Sequence, residues 1–62
     1  MSRNELIRSM ERYCNGASFI SKQQLKDFMG YKSVNSVTPY LYGIKSINRR
    51  YYIPDVVDRI ML

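Results

Sequence analysis

Four uncharged side chains near the middle of the sequence could form hydrogen bonds to a partner. They are Asn35, Ser36, Thr38 and Tyr42. Val34, Val37 and Leu41 recur among them at spacings of three and four residues, which predicts a short helix with an apolar inner face and a polar outer face. Because short polar side chains can bind base edges in a groove, this stretch is a candidate for contact with nucleic acid.

Positive charges flank this predicted helix. They are Lys32, Lys45, Arg49 and Arg50. No acidic residue occurs between residues 30 and 54, although the whole chain mixes both signs and has a net charge of +5. A local positive surface attracts phosphate at long range and releases counterions on binding. The pattern therefore predicts salt-dependent binding to nucleic acid or to an anionic membrane surface.

The sequence offers little for catalysis. It contains no histidine, its one cysteine has no candidate base, and its acids lack the paired spacing needed for shared proton transfer. The acids are Glu5, Glu11, Asp27, Asp55 and Asp58. A single cysteine cannot form an internal disulfide, and no Cys/His cluster is present for zinc. We predict a protein that is not an enzyme and uses no cofactor or metal, with Cys14 as a small buried hydrophobe.

The length of 62 residues allows one small domain, which hides only about 60% of its unfolded surface. No apolar run approaches the roughly 20 residues that cross a bilayer, and the first residues lack the apolar segment of a signal peptide. The single cysteine, which cannot form an internal disulfide, predicts a reducing compartment.

The first half of the chain predicts two helices and a short strand. Residues 3–14 form an amphipathic pattern, and residues 19–20 favour a strand of two or three residues. Ser21 and Gln24 have the spacing of a capping box, so a helix is expected to begin there and to end at Gly30.

Pro39 limits where the next helix can begin, because proline is harmless only in the first helical turn. We expect this helix over residues 37–42, with Asn35 or Ser36 as its N-cap. If the helix began at Ser33 instead, Pro39 would kink it.

Residues 44–53 predict a β-hairpin, because β-branched and aromatic residues surround a turn at Asn48 and Arg49. A two-residue loop would pair Ile44 with Ile53 and Ser46 with Tyr51. The opposite face of the hairpin would then carry Lys45, Ile47, Arg50 and Tyr52.

A last helix is expected from Pro54, with Asp55 at its positive N-terminus. Its predicted inward stripe is Val56, Val57, Ile60 and Met61. The fold class is therefore α+β and mostly helical. The predicted core is Leu6, Met10, Phe19, Leu25, Phe28, Val34, Val37, Leu41, Ile44, Ile53, Val57 and Ile60.

Residues 19–60 resemble the small winged helix-turn-helix proteins of the excisionase and MerR-like superfamily. The matching features are a Ser-capped helix at 21–25, a Gly turn at 29–30, a second helix at 36–41, the run Arg-Arg-Tyr-Tyr-Ile-Pro at 49–54 and an acidic helix start at 55–60. The chain departs from the family's layout in its extra helix at 3–14. It also has Pro39, and no basic residue, in the second helix.

The resemblance implies one winged helix-turn-helix domain over residues 1–62 with an additional N-terminal helix. Its parts would be the extra helix at 3–14, the helix-turn-helix at 21–42, a β-hairpin wing at 44–53 and a terminal helix at 54–62. In such proteins the second helix enters the major groove, the wing contacts the neighbouring minor groove or backbone, and the start of the first helix touches phosphate. The implied DNA-binding set is Lys22, Gln23, Lys32, Ser33, Asn35, Ser36, Thr38, Tyr42, Lys45, Asn48, Arg49 and Arg50.

The resemblance also implies a role. Excisionase-like proteins are architectural factors that bend DNA at the end of a phage or mobile element and assist an integrase. The expected partners are thus double-stranded DNA, a tyrosine or serine integrase and further copies of the chain on DNA, in the nucleoid of a bacterial cytoplasm. No membrane or small-molecule ligand is expected.

Two alternatives stay open. A compact transcriptional repressor of a phage or mobile element would have the same fold. A protein-binding module that inhibits a host protein belongs to a different class, and exposed tyrosines would be its hot spots. The candidates for that interface are Tyr40, Tyr42, Tyr51 and Tyr52.

Overall fold

A computed structural model describes residues 2–62 as four α-helices, one 3₁₀ turn and one antiparallel sheet of three strands. In chain order these are α1 (Arg3–Tyr13), β1 (Phe19–Ser21), α2 (Lys22–Met29), the 3₁₀ turn (Val34–Ser36), α3 (Thr38–Leu41), β2 (Ser46–Ile47), β3 (Arg50–Tyr52) and α4 (Ile53–Ile60). About 56% of the chain is helical, which confirms the mostly helical α+β class.

The predicted capping box at the start of α2 is confirmed. The Ser21 hydroxyl accepts a hydrogen bond from the Gln24 amide at 3.1 Å, and the Gln24 side chain accepts one from the Ser21 amide at 3.0 Å. Gly30 ends the helix in the left-handed region at φ 80°. A second capping box, from Ser2 and Glu5, starts α1 and was not predicted.

The predicted N-cap of the next helix, Asn35 or Ser36, is wrong. The Ser33 hydroxyl accepts from the Asn35 amide at 3.2 Å and caps an earlier 3₁₀ turn, and α3 then begins at Thr38 with no side-chain cap. Pro39 explains the break. It has no N–H to donate to the carbonyl four residues earlier, so a continuous helix from Val34 is not available, and proline lies instead in the first turn of α3.

The hairpin prediction is confirmed at its turn. β2 and β3 pair antiparallel, with Ser46 opposite Tyr51 as expected. Asn48 and Arg49 form the two-residue loop with φ values of 52° and 63°, both in the left-handed region that a type I′ turn requires.

The outer pair of the predicted hairpin is wrong. β2 begins only at Ser46, and Ile53 already belongs to α4, so Ile44 and Ile53 are not strand partners. The Ile53 amide donates to the Ser18 carbonyl at 2.9 Å instead, because β3 lies in the middle of the sheet, in the order β1-β3-β2.

The core lies between the helices and one face of the sheet. Its buried residues are Met10, Cys14, Ile20, Leu25, Val37, Leu41, Ile53, Val56 and Val57. Cys14 is therefore the buried hydrophobe that was predicted. Half-buried positions among the predicted core are Leu6, Phe19, Phe28, Val34, Ile44 and Ile60.

Two inward assignments change, and one residue of the predicted inner stripe, Val56, joins the core. In β1 the inward residue is Ile20 rather than Phe19, because side chains alternate along a strand and Ile20 lies opposite the inward Tyr51. Val56 is fully buried because α4 starts at Ile53 and residues three positions apart share a helical face. Met61, expected on the inner stripe, follows the end of α4 and is 48% exposed.

Among residues 2–62, no helix is long and apolar enough to span a bilayer.

Candidate nucleic-acid interface

The 3₁₀ turn and α3 together form a helical segment over residues 34–41, which we call the α3 segment. Val37 is fully buried and Leu41 is 5% exposed, so these two residues anchor the segment on the core. Asn35 and Ser36 lie on its exposed side, as predicted. The apolar residues thus fix a short polar surface toward solvent.

Thr38 and Tyr42 differ in what they can offer a partner. Thr38 is half-buried, and its hydroxyl donates to the Val34 carbonyl at 3.5 Å, so it helps to hold the α3 segment together. Tyr42 follows the last turn in an extended conformation and is 77% exposed. Tyr42 is therefore the large side chain of this region with the most surface free for contact.

The hairpin turn holds Asn48 and Arg49, both exposed. Arg49 has a left-handed backbone conformation that is unusual for a long side chain. The turn therefore places a cation at the tip of the hairpin, where it can reach a phosphate.

Arg50 lies on the body of the hairpin, in β3 and opposite Ile47. Burial raises the pKa of the Cys14 thiol, and the nearby charge of Arg50 partly opposes that shift. The Arg50 charge therefore lies near Cys14 at the end of α1. The structure thus separates the two arginines that sequence analysis had grouped.

At the start of α2, one of the two predicted phosphate contacts, Gln23, has a hydrogen-bond partner within the protein. Gln23 is exposed, but its side-chain amide donates to the Asp27 carboxylate at 3.4 and 3.5 Å. Lys26 forms an ion pair with the same carboxylate at 2.9 Å, and this hydrogen bond lowers the pKa of Asp27. Lys22, which is half-buried, is the nearby side chain with a charge to offer.

The predicted flanking residues have different surroundings. Lys32 is exposed in the turn after α2, and Ser33 next to it serves as the cap of the 3₁₀ turn. Lys45 lines a cleft of about 340 Å³ beside α4, together with Asp55, Asp58 and Arg59. The two acids there reduce what Lys45 can contribute to an anion site.

The five acids belong to α1, α2 and α4, and none is part of the α3 segment or the hairpin turn. Within residues 2–62, Asp58 is paired with Arg3, and Asp27 with Lys26. Glu5 serves the capping box of α1, and Glu11 lies further along the same helix. The α3 segment therefore supplies polar groups and the hairpin turn a cation, and neither contains an acid.

Sequence analysis overlooked Tyr31, which lies beside the α3 segment. Its hydroxyl lies 3.4 Å from the Tyr40 hydroxyl, and this hydrogen bond raises the pKa of Tyr31. The side chain is 38% exposed beside Lys32. Its signal in the sequence was a hydroxyl-bearing aromatic residue directly after the glycine that ends α2.

Comparisons with protein-family models, with curated proteins and with solved structures find no match. The residues of the site must therefore carry the functional argument by themselves.

Proposed function

We propose that this protein binds double-stranded DNA as a winged helix-turn-helix domain, with the α3 segment in the major groove and the β2–β3 hairpin as the wing. The observation that carries the proposal is the exposed cationic turn at Asn48 and Arg49, which follows a helical segment with a buried apolar face and an uncharged polar face. Uncharged polar groups can bind base edges, whereas cations position a protein on phosphates.

The order of the elements supports this proposal. α2 and the α3 segment are joined by a short turn at Gly30, and a hairpin follows directly. The sheet order β1-β3-β2 ties that hairpin to β1 and hence to the helices, so the wing is held by the core. A recognition helix and a wing that share one rigid body can contact one DNA site together.

Each contact has a stated role in the proposal. Asn35, Ser36 and Tyr42 bind base edges or the groove wall, and Arg49 binds phosphate or enters the minor groove. Lys32 adds a phosphate contact at the other end of the α3 segment. Thr38 and Ser33 serve the local backbone and are positioning residues.

Within this class, the finer role that we propose is that of an excisionase-like architectural factor, which bends DNA and assists an integrase in a bacterial cytoplasm. The support is the resemblance of residues 49–54 and the acidic start of α4 to that superfamily. Bending DNA by 40 to 90° costs roughly 1 to 6 kcal/mol. A chain this small would act as several copies, or with a partner recombinase.

The first experiment is fluorescence anisotropy with random-sequence duplex DNA over a salt series. We expect weak affinity that falls steeply as salt rises, because phosphate contacts release counterions. Arg49→Glu should weaken binding by about tenfold or more, since it replaces a phosphate contact with repulsion. Arg8→Glu is the matched control, because Arg8 is exposed on α1 and undergoes the same charge change away from the proposed interface.

Two results would contradict the proposal. One is the absence of binding even at low salt. The other is an equal loss for both charge reversals, which would show that net charge alone drives binding.

A further inference from the structure

The sheet has an outer face, directed away from the core, that carries large side chains. Ile20 and its partner Tyr51 face the core, so Phe19 and its partner Tyr52 face outward by strand alternation. Arg50 and its partner Ile47 lie on the same outer face. We define the outer sheet face by Phe19, Ile47, Arg50 and Tyr52.

Two of the exposed large hydrophobic residues among those described lie on the outer sheet face. Ile47 is 53% exposed and Tyr52 is 44% exposed. The Phe19 and Tyr52 rings contact each other with centroids 5.4 Å apart. Isolated exposed apolar side chains are ordinary, whereas a contiguous group of them indicates a binding surface.

A concavity of about 470 Å³ lies at one end of this face, which is large enough for a few partner side chains. It is lined by Ala17, Phe19, Ile47, Asn48 and Arg50. Its lining combines apolar side chains with the Asn48 amide and the Arg50 guanidinium, so it suits an apolar group that lies next to a negative charge.

The adjoining strand β2 is an edge strand. Within the described residues it pairs with β3 alone, so its other side can accept hydrogen bonds from an added strand. β2 has only two residues, so its edge offers few backbone groups, and the exposed outward residue beside them is Ile47.

From these observations we infer that the outer sheet face and the free edge of β2 bind an extended segment of a partner protein in which apolar side chains alternate with carboxylates. Charge complementarity selects this occupant. Arg50 lies in the concavity, and none of the residues that line it is acidic. A carboxylate would therefore meet only positive charge from this part of the chain.

Two other occupants fit less well. A second copy that joined its own β2 here would bring Lys45 and Arg50 against the same cations. DNA would use the arginine but gain nothing for phosphate binding from the exposed Ile47 and Tyr52 side chains. The inference goes beyond the proposed function, because it assigns Arg50 to a protein contact and leaves Arg49 to DNA.

The test uses a blocked peptide of about eight residues in which Glu alternates with Leu, a length that matches an ordinary strand. The control peptide has Lys in place of Glu. Each is titrated into the full chain, and binding is followed residue by residue in two-dimensional ¹H–¹⁵N NMR spectra. We expect the acidic peptide to shift the amide signals of Ala17, Phe19, Ile47 and Arg50, and the basic peptide to leave them unchanged.

Variants then locate the contact. Ile47→Ser and Arg50→Glu should each weaken binding of the acidic peptide by about fivefold or more, as is usual for residues that anchor an interface. Arg49→Glu is the matched control and should change it by less than about twofold, because exposed charges beside an interface contribute little. The exposure of Ile47 makes Ile47→Ser compatible with folding, which the NMR spectrum itself verifies.

The inference is overturned by any of four results: no shift at millimolar peptide, equal shifts with the basic peptide, shifts confined to another surface, or duplex DNA that also shifts the amides of Ala17 and Phe19. The anisotropy experiment with DNA is read separately. A chain that binds the peptide but not DNA would contradict the proposed function and uphold this inference, and the reverse result would do the opposite.

Discussion

Arg49 combines an exposed position in the hairpin turn with a strained backbone. Its φ of 63° lies in the left-handed region, which costs a residue other than glycine about 1 kcal/mol. A type I′ turn favours glycine at this second position, so arginine is retained there at a cost in stability. An unfavourable conformation at an exposed cation supports a role for Arg49 in binding.

We therefore expect Arg49→Gly to stabilise the protein while weakening its binding to DNA. Relief of the strain should raise the melting temperature by about 4 to 8 °C, the shift that 1 kcal/mol produces in a domain of this size. Thermal unfolding followed by circular dichroism measures the gain, and anisotropy measures the loss. Asn48→Gly is the control, since it relieves the other left-handed residue of the turn without removing a charge. A melting temperature that falls in Arg49→Gly would refute the strain argument.

Substitution of Tyr42 tests whether the α3 segment contacts DNA. Because its side chain is 77% exposed, Tyr42→Ala should change the free energy of unfolding by less than about 0.5 kcal/mol. DNA affinity should fall by about threefold or more if the ring contacts the groove wall. Tyr13→Ala is the comparison, as Tyr13 is 46% exposed on α1. Equal DNA affinity in the two variants would remove Tyr42 from the interface.

The stability of the short helix α2 depends on the residues at its ends. Helix α2 has eight residues, too few to be stable alone in water, and its capping box satisfies amides that would otherwise lack partners. Ser21→Ala should cost about 1 kcal/mol of stability, the usual value for an N-cap. Chemical denaturation measures this, with the exposed Ser18→Ala as the control. A cost no larger than that of Ser18→Ala would show that packing alone fixes the start of α2.

The ion pair between Arg3 of α1 and Asp58 of α4 predicts a dependence of stability on pH. The Arg3 guanidinium donates to both carboxylate oxygens of Asp58, and this hydrogen bond lowers the pKa of Asp58. A lowered folded pKa favours the carboxylate, so its contribution is present above the unfolded pKa and is lost as pH falls through the folded pKa.

The melting temperature of the wild type should accordingly decrease more steeply on acidification than that of Arg3→Gln. Scans from neutral pH to about pH 2 compare the two proteins over the range in which carboxylates titrate. The Ser2 amide donates a hydrogen bond to the Glu5 carboxylate and lowers the pKa of Glu5. Glu5 is present in both proteins, so its titration contributes equally to the two profiles. Parallel profiles would show that the pair contributes nothing to stability.

Sequence analysis correctly predicted the features that depend only on residues close together in the chain. The capping box at Ser21, the glycine end of α2 and the turn at Asn48 and Arg49 each rest on residues close together in the chain, and each is confirmed. Tertiary pairing decided the rest. The inward choice of Ile20 over Phe19 depends on its pairing with β3, and sequence periodicity over three residues cannot specify it.

The same limit applies to the candidate site. Sequence analysis grouped Arg49 with Arg50 because they are adjacent. Successive residues of a strand point to opposite faces, and a turn residue points to neither, so only the fold assigns one arginine to the tip and the other to the outer sheet face.

Bending of DNA by the complete protein distinguishes an architectural factor from a simple repressor. A protein that bends DNA loses part of its binding energy to the deformation, and a nick in the site removes much of that cost. If the proposed excisionase-like role is right, a specific site with a central nick should bind about tenfold more tightly than the intact duplex, because 1.4 kcal/mol of avoided deformation corresponds to a factor of ten. A repressor that binds straight DNA would have equal affinity for both.

The control is a nick outside the site, which leaves the bend unrelieved, and competition anisotropy with a site selected from random DNA provides the measurement. Equal affinity for nicked and intact sites would favour the repressor role, while the contacts proposed for the α3 segment and the hairpin turn would still hold.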